Sequence, residues 1–246
     1  MKLPIIDIAT TYSGSEVTGF CGMTINGVKR MHQSLNMLAS TLIYDPELTL
    51  SLPVKVGAAS AMNALAHCVD AVYVSTVNPV VAIAAAEGAK WVSVGGPEVV
   101  RKPDDLDARA KMLYGAYLSG IALTGGFALQ HGLAHVLGGT FHVEHGLAHS
   151  AVLPYVAAYN AKFAPEALKP VAAAMGSDVT GLGGAIYDLR AEMGLPASLQ
   201  EIGFAEKDLA TLVKITVDTD NGYNPAPVTE ESVGAIVEQM WSGVRP

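Results

Sequence analysis

Hydrophobic residues recur at helical spacing along most of this chain. The segment that starts at Val54, VKVGAASAMNALAHCVDAVYV, is rich in alanine and contains no proline. Asn78-Pro79 opens a second apolar segment, because proline suits the first turn of a helix. Asp104 and Asp105 open a third, since acids stabilise a helix N-terminus. Further helices are predicted near 126–138, 147–161, 165–175, 180–193, 206–216 and 229–241.

Two short segments are predicted to be extended instead. One is KLPIIDIAT, which ends in the polar turn TYSGSE, and the other lies in TLIYDPELTLSLP. Glycine pairs are predicted to break the helices, Gly125-Gly126 between two buried helices and Gly138-Gly139 at the end of a helix over 131–137. The fold class is therefore mainly α, a helical bundle forming a single domain over 1–246. Within it, 1–53 is a junction segment with short strands and 54–246 is the helical body, with GSDVTGLGG (176–184) a loop.

Composition narrows the function classes. Half of the 246 residues are hydrophobic and 15% are charged, so some surface is expected to be buried in a homo-oligomer or a heteromer. The net charge of −8, without a basic cluster, excludes nucleic acid as a partner. The uncharged stretch between Lys111 and Glu144 contains many glycines and histidines, so it predicts buried helices rather than a membrane span. Two cysteines without a CxxC motif and no visible signal peptide favour the cytoplasm.

The candidate chemistry is concentrated in HGLAHVLGGTFHVEHGLAH, residues 131–149, which holds five of the seven histidines. His131 and His135 are four residues apart, as are His145 and His149, and as are Asn63 and His67 in an earlier helix, so each pair shares a helix face. If the chain turns back after the glycine pair, one pocket collects these side chains: Asn63, His67, His131, His135, His142 and His145, beside Glu144. Clustered imidazoles bind divalent transition metals or transfer protons. For His32 and His149 we predict structural roles.

A series of motifs in order along the chain carries a family resemblance: TTYSGSEVT, YDPELTLSLP, MNALAHCVDAVY, HGLAHVLGGTFHVEHG, LPYVAAYN and NPAPVT. Together they resemble the iron-containing alcohol dehydrogenase superfamily, and within it the maleylacetate reductases. The resemblance implies the fold of that family's helical C-terminal domain. It also implies that metal-dependent relatives hold iron or zinc at the positions of Asn63, His67, His131 and His145. His135 matches a histidine near the reacting carbon and the nicotinamide.

The first departure from the family pattern is Asn63, which stands where metal-dependent members have Asp. A neutral amide in place of a carboxylate weakens the binding of a divalent cation, because an attractive charge is lost. Maleylacetate reductases are similar in having Asn there and are thought to work without metal. We therefore expect zinc or iron to bind weakly, if at all.

The second departure concerns the nucleotide cofactor. Members of the family combine a nucleotide-binding α/β domain with the helical domain, and this chain starts near the junction between them. It has no glycine-rich phosphate loop after a strand. NAD(P) is therefore not expected to bind the isolated chain. Thr10, Thr11 and Ser15 would contact the cofactor only if a nucleotide-binding partner chain is present.

The third departure lies in the pocket. Gly132 replaces a lysine, Tyr155 replaces a histidine, and His142 and Glu144 are additions. Substrate specificity is therefore not carried over from the maleylacetate reductases. The additions supply acid–base capacity or an alternative ligand set of His142, Glu144 and His145.

Three hypotheses follow. The first is a reductase of a small carbonyl compound or keto acid that needs a nucleotide-binding partner, with His131 and His135 stabilising the charge that develops on the substrate. The second is an enzyme without nicotinamide, an isomerase, decarboxylase, cyclase or hydrolase that uses His135, His142, Glu144 and His145. The third is a non-catalytic subunit.

Overall fold

Helices make up most of this computed structural model, which describes residues 3–25 and 28–246. The helices of this described part are α1 (Val54–Ala71), α2 (Pro79–Arg101), α3 (Leu106–Leu123), α4 (Leu129–Thr140), α5 (His145–Asn160), α6 (Pro165–Ala174), α7 (Leu182–Glu192), α8 (Leu209–Asp218) and α9 (Glu230–Ser242). The predicted mainly α fold is confirmed. No helix in the described ranges combines the length and hydropathy needed to cross a bilayer.

The helix starts follow from local capping chemistry. The Asn78 side chain accepts hydrogen bonds from the backbone N–H groups of Val80 and Val81 at 3.0 and 3.1 Å, and Pro79 follows it as the first residue of α2. Asp105 caps α3 in the same way, and a reciprocal pair of bonds between Thr229 and Ser232 caps α9. Each cap satisfies N–H groups that have no partner within the helix.

Both predicted extended segments are strands, and they pair with each other. β1 (Ile6–Ala9) runs parallel to β4 (Thr41–Tyr44). Between them in sequence lies an antiparallel hairpin of β2 (Phe20–Ile25) and β3 (Val28–Gln33), which the sequence pattern did not predict.

α1 is the central helix of the body. From Ala61 to Ala71 every residue is buried, which is why this segment shows an alanine-rich apolar run rather than one hydrophobic stripe. α5 packs closely against it, because a Cβ added at Gly146 would lie 2.8 Å from the backbone of Ala59. This close approach brings the histidines of α5 next to those of α1.

The predicted helix end at Gly138-Gly139 is wrong. α4 continues through both glycines to Thr140, and the chain reverses over residues 141–144, where His142 has a φ of +59°. Glycine inside a helix costs only about 1 kcal/mol relative to alanine, and the backbone bonds from Phe141 and Val143 to the Leu137 carbonyl close the helix instead. The predicted break at Gly125-Gly126 does occur, with Gly126 at a φ of +114° between α3 and α4.

Candidate active site

Three helices converge on a cluster of histidine side chains. α1 contributes His67, α4 contributes His131 and His135, and α5 contributes His145 and His149. The ring centroids of His67 and His131 lie 5.1 Å apart, and those of His145 and His149 lie 4.5 Å apart. The His67–His131 pair and the His145–His149 pair meet at His131 and His149, whose ring centroids are 4.7 Å apart.

A cavity of about 330 Å³ opens beside this cluster. Its wall is formed by residues from the loop after β1, from β2, from the end of α3 and the loop that follows it, and from the three helices: Ser13, Ser15, Phe20, Gly22, Asn63, His67, Leu123, Phe127, His131, His135, Gly138, Gly139 and His145. The wall therefore combines apolar groups with imidazoles, an amide and two hydroxyls. Such a wall suits a small polar substrate with a short carbon chain.

The Asp70 carboxylate, fully buried on α1, orients His131. Its Oδ2 lies 2.9 Å from Nδ1 of His131 and accepts the backbone N–H of Ala128 at 2.7 Å. The Tyr73 hydroxyl donates to Oδ1. With Nδ1 protonated towards Asp70, the lone pair of His131 is on Nε2, which is buried and has no hydrogen-bond partner.

Two histidines of the cluster, His67 and His149, are held neutral. Burial lowers the pKa of His67 well below its usual value, neighbouring histidines lower it further, and the backbone of Ser13 opposes this shift. Burial and the same neighbours also lower the pKa of His149. Neutral imidazoles keep a lone pair that can accept a proton or bind a metal.

His149 is inside this cluster. It is fully buried, and its Nδ1 lies 3.1 and 3.3 Å from the Nε2 and Oε1 atoms of Gln130. The nitrogen atoms of His135, His145 and His149 that could serve as ligands all lie within 4.8 Å of one another. We predicted a structural role for His149, but its position makes it a candidate functional residue.

The structure does not bring every predicted site residue to the cavity. His142 and Glu144 are exposed in the turn before α5, where the Glu144 side chain caps α5 by accepting the N–H groups of Gly146 and Leu147 at 3.0 and 2.8 Å. Neither side chain lines the cavity, so the predicted grouping of His142 and Glu144 with the other histidines is not found.

The remaining candidates occupy varied positions. Thr10 and Thr11 are exposed next to the loop that contributes Ser13 and Ser15. Tyr155 is buried with an unpartnered hydroxyl, outside the cavity wall. His32 is half-buried on β3 and also lies outside that wall.

Sequence reasoning missed Asp70 and Gln130. Asp70 left a signal, because it is an acid in an apolar helical segment whose only other charged residue is Lys55, and it lies three residues after His67 on the same helix. An acid in such a segment needs a buried partner. Gln130 left no comparable signal.

Comparison with known proteins agrees with this geometry. Residues 57–241 match the family model described as the C-terminal part of the Fe-containing alcohol dehydrogenase family. Maleylacetate reductase of Burkholderia cepacia is 38% identical over 246 residues, which cover 99% of this chain and 69% of the relative. That of Rhizobium sp. strain MTP-10005 is 39% identical over 245 residues, which cover 99% of this chain and 68% of the relative.

Solved structures show the same similarity. The crystal structure of the Rhizobium maleylacetate reductase superposes with a TM-score of 0.93 at 38% identity, over 99% of this chain and 69% of that one. The 1,3-propanediol oxidoreductase structure gives a TM-score of 0.90 at 32% identity, over 97% and 66%. From the family match, the shared fold and the helix-borne histidines together, this chain belongs to the iron-containing alcohol dehydrogenase family.

Proposed function

We propose that this chain supplies the substrate-binding half of a reductase that acts on a small carbonyl compound or keto acid. The nicotinamide cofactor would be held by a nucleotide-binding domain outside these 246 residues. The observation that carries the proposal is the buried Asp70–His131 pair, which directs an unpartnered imidazole nitrogen at a cavity of substrate size.

In the proposed reaction, hydride passes from NAD(P)H to the carbonyl carbon, and the carbonyl oxygen takes up a proton. The products are NAD(P)⁺ and the alcohol. The developing negative charge on the oxygen needs polar groups that are already in place. His131, fixed by Asp70, is one such group, and His135 on the same helix face of the cavity is the candidate proton donor.

Two surfaces next to the cavity support the proposed partner domain. Thr10 and Thr11 are exposed beside Ser15, where a bound cofactor could reach them. Nearby, Ile6, Ile8 and Ile43 of the two-stranded parallel sheet are 64%, 49% and 42% exposed. Parallel strands in proteins are usually covered on both faces, so this sheet is suited to being extended and covered by an α/β partner.

The family name implies a metal, and the side chains at the corresponding positions have the right donor chemistry. Asn63 Oδ1, His67 Nδ1 and His131 Nε2 are buried atoms without a hydrogen-bond partner, and His145 lines the same cavity. These four residues would hold a divalent transition metal more weakly than a set with Asp at position 63, because the neutral amide of Asn63 lacks the charge of a carboxylate. When bound, the metal would polarise the carbonyl group as a Lewis acid.

Less supports the alternative of acid–base chemistry without nicotinamide. That hypothesis relied on His142 and Glu144 as additions to the pocket, and both side chains lie outside the cavity wall. His135 and His145 alone do not distinguish it from a reductase site.

The test is an assay of NADH and NADPH oxidation by the purified chain with a panel of keto acids and aldehydes. It is run with and without the separately expressed nucleotide-binding part of the Burkholderia cepacia maleylacetate reductase. We expect oxidation that depends on both polypeptides and on substrate. H135A should abolish it, whereas the surface variant H142A should match the wild type. Turnover of a keto acid without any nicotinamide would contradict the proposal, as would a complex of the two polypeptides that is inactive with every substrate.

A further inference from the structure

We propose that a divalent transition metal binds to His135, His145 and His149, a ligand set displaced from the one that the family resemblance implies and sharing only His145 with it. The inference rests on side-chain geometry alone and does not depend on the reductase activity. It assigns to His149 a role as ligand.

The three imidazoles already converge. Their candidate ligand nitrogens lie within 4.8 Å of one another. Among the His, Cys, Asp and Glu residues of the described part of the chain, this is the one group of three or more that lies close enough to hold a metal ion. A tetrahedral zinc site with bonds of about 2.0–2.1 Å separates its nitrogens by roughly 3.3 Å. Small rotations of half-buried His135 and His145 towards the fixed His149 would close this difference.

His149 has the features of a metal ligand rather than of a packing residue. One ring nitrogen, Nδ1, is held by the Gln130 carboxamide, and the other, Nε2, is buried and unpartnered. When Gln130 Oε1 accepts the Nδ1 proton, the Nε2 lone pair is free. Histidines that bind metals in proteins are commonly held this way, by a polar group at the second nitrogen that fixes the tautomer.

The positions implied by the resemblance differ from the proposed set in convergence, not in ring stacking. His67 and His131 stack with 19° between their planes, and His135 and His145 of the proposed set stack with 17°. Asn63 adds a neutral amide oxygen. Neither His67 nor His131 belongs to the converged set, so the structure favours a metal on the α4–α5 side of the cluster.

Ligand type decides the class of metal. Three neutral imidazoles favour Zn²⁺, Co²⁺, Ni²⁺ or Cu²⁺, and they disfavour Mg²⁺ and Ca²⁺, which prefer oxygen ligands. His135 and His145 both line the cavity. A metal held by them would therefore adjoin the space that the proposed substrate occupies.

The test titrates Co²⁺ into metal-free protein without cofactor or substrate and follows the visible d–d absorption of the bound cobalt. Zn²⁺ is then added to displace the cobalt, and the bound zinc is measured by elemental analysis. We expect one equivalent per chain with a tetrahedral spectrum. H149Q and H135Q should each weaken binding at least tenfold, whereas H67Q and the surface control H142Q should stay within twofold of wild type.

His149 is buried, so circular dichroism checks the fold of each variant, and H135Q, at the cavity edge, remains informative if H149Q does not fold. Loss of binding in H67Q with retention in H135Q would place the metal at the positions implied by the resemblance and overturn the inference. A wild-type chain that binds no cobalt or zinc at micromolar concentration would also overturn it. Neither result bears on NADH oxidation by the two-polypeptide assay, so the two proposals fail separately.

Discussion

Asp70 Oδ2 lies 2.9 Å from Nδ1 of His131, and both side chains are shielded from solvent. The same oxygen accepts the backbone N–H of Ala128 at 2.7 Å and faces that of His131 at 3.4 Å. One carboxylate therefore satisfies N–H groups at the start of α4, where a negative charge is favourable, and fixes the tautomer of a cavity histidine. Helix position and imidazole orientation are coupled through this group.

Replacing Asp70 should therefore damage stability as well as the site. D70N keeps the shape of the side chain but removes its negative charge. The new amide N–H₂ group can face the Nδ1 proton of His131, so that two donors meet. We therefore expect a loss of about 1–3 kcal/mol in the free energy of unfolding. D70A leaves several buried donors without an acceptor and should cost about 3–5 kcal/mol. Urea denaturation followed by circular dichroism measures both.

The matched control is D188N, which removes an exposed carboxylate paired with Arg245 at 2.7 Å. Exposed pairs contribute little, so this variant should behave almost as wild type. Equal losses in D70N and D188N would contradict the role assigned to Asp70.

The helices were predictable because their signals are local. Asn78-Pro79 and Asp105 predict helix starts, because a capping side chain bonds only to the backbone of the next few residues. Both caps occur as expected. The β2–β3 hairpin was missed because its two strands carry no sharp alternation of apolar and polar positions, and the Asn26-Gly27 turn signal between them in the sequence was overlooked. The helix end predicted at the glycine pair 138–139 was wrong because tertiary contacts, and not the local sequence, decide whether a helix continues through two glycines.

The site was predictable in part. Spacing of four residues placed His131 with His135 and His145 with His149, and the predicted reversal of the chain brings the two pairs together. The exposed position of His142 could not be predicted, because the residue lies in a turn where it adopts a φ of +59°. Asp70 and Gln130 act through contacts between helices, which no single helix reveals.

Gly120 and Gly132 give a matched pair of helix glycines with opposite expected effects. A Cβ at Gly120 would lie 2.0 Å from the carbonyl oxygen of Gly14, in the loop that carries Ser13 and Ser15. G120A should therefore displace this loop and destabilise the fold by about 1–3 kcal/mol. A Cβ at Gly132 meets nothing within 4 Å, so G132A should stabilise the chain by about 0.5–1 kcal/mol. Thermal unfolding of both variants is the measurement, and the idea fails if the two shift in the same direction.

Arg109 also anchors this loop. The residue is 1% exposed, and its guanidinium donates to the Tyr12 hydroxyl at 2.9 Å and to the Pro103 carbonyl at 2.6 Å, as well as to Thr49. R109M leaves these buried acceptors unsatisfied, so we expect a loss of at least about 1–3 kcal/mol in the free energy of unfolding. Hydrogen exchange should also show faster exchange at Tyr12 and its neighbours.

The control for R109M is R101M, since Arg101 is exposed and pairs with Glu192 at 2.9 Å. This variant should change neither stability nor exchange in the Tyr12 loop. If hydrogen exchange at Tyr12 and its neighbours is unchanged in R109M, Arg109 does not hold the loop that lines the cavity and contributes only to overall stability.

Glu16 should make stability depend on pH in a direction opposite to most carboxyl groups. Burial raises the pKa of Glu16 above its ordinary value of 4.5, against the opposing bonds from the backbone and from the Tyr44 hydroxyl, which lies 2.9 Å from Oε1. Between 4.5 and this raised value the folded chain binds more protons than the unfolded chain. By linkage, the Glu16 contribution to stability falls as pH rises through that window, and the cost is fully present above it.

E16Q removes this titration and keeps a side chain that can accept the Tyr44 bond. The variant should therefore be more stable than wild type near neutral pH, and the difference should shrink as pH falls towards 4.5. Paired urea denaturations across this range measure the difference, in which the other carboxyl groups cancel. E47Q, at an exposed position, controls for the loss of one negative charge. A difference between E16Q and wild type that grows as pH falls would mean that Tyr44 and the backbone stabilise the charged carboxylate more than burial penalises it.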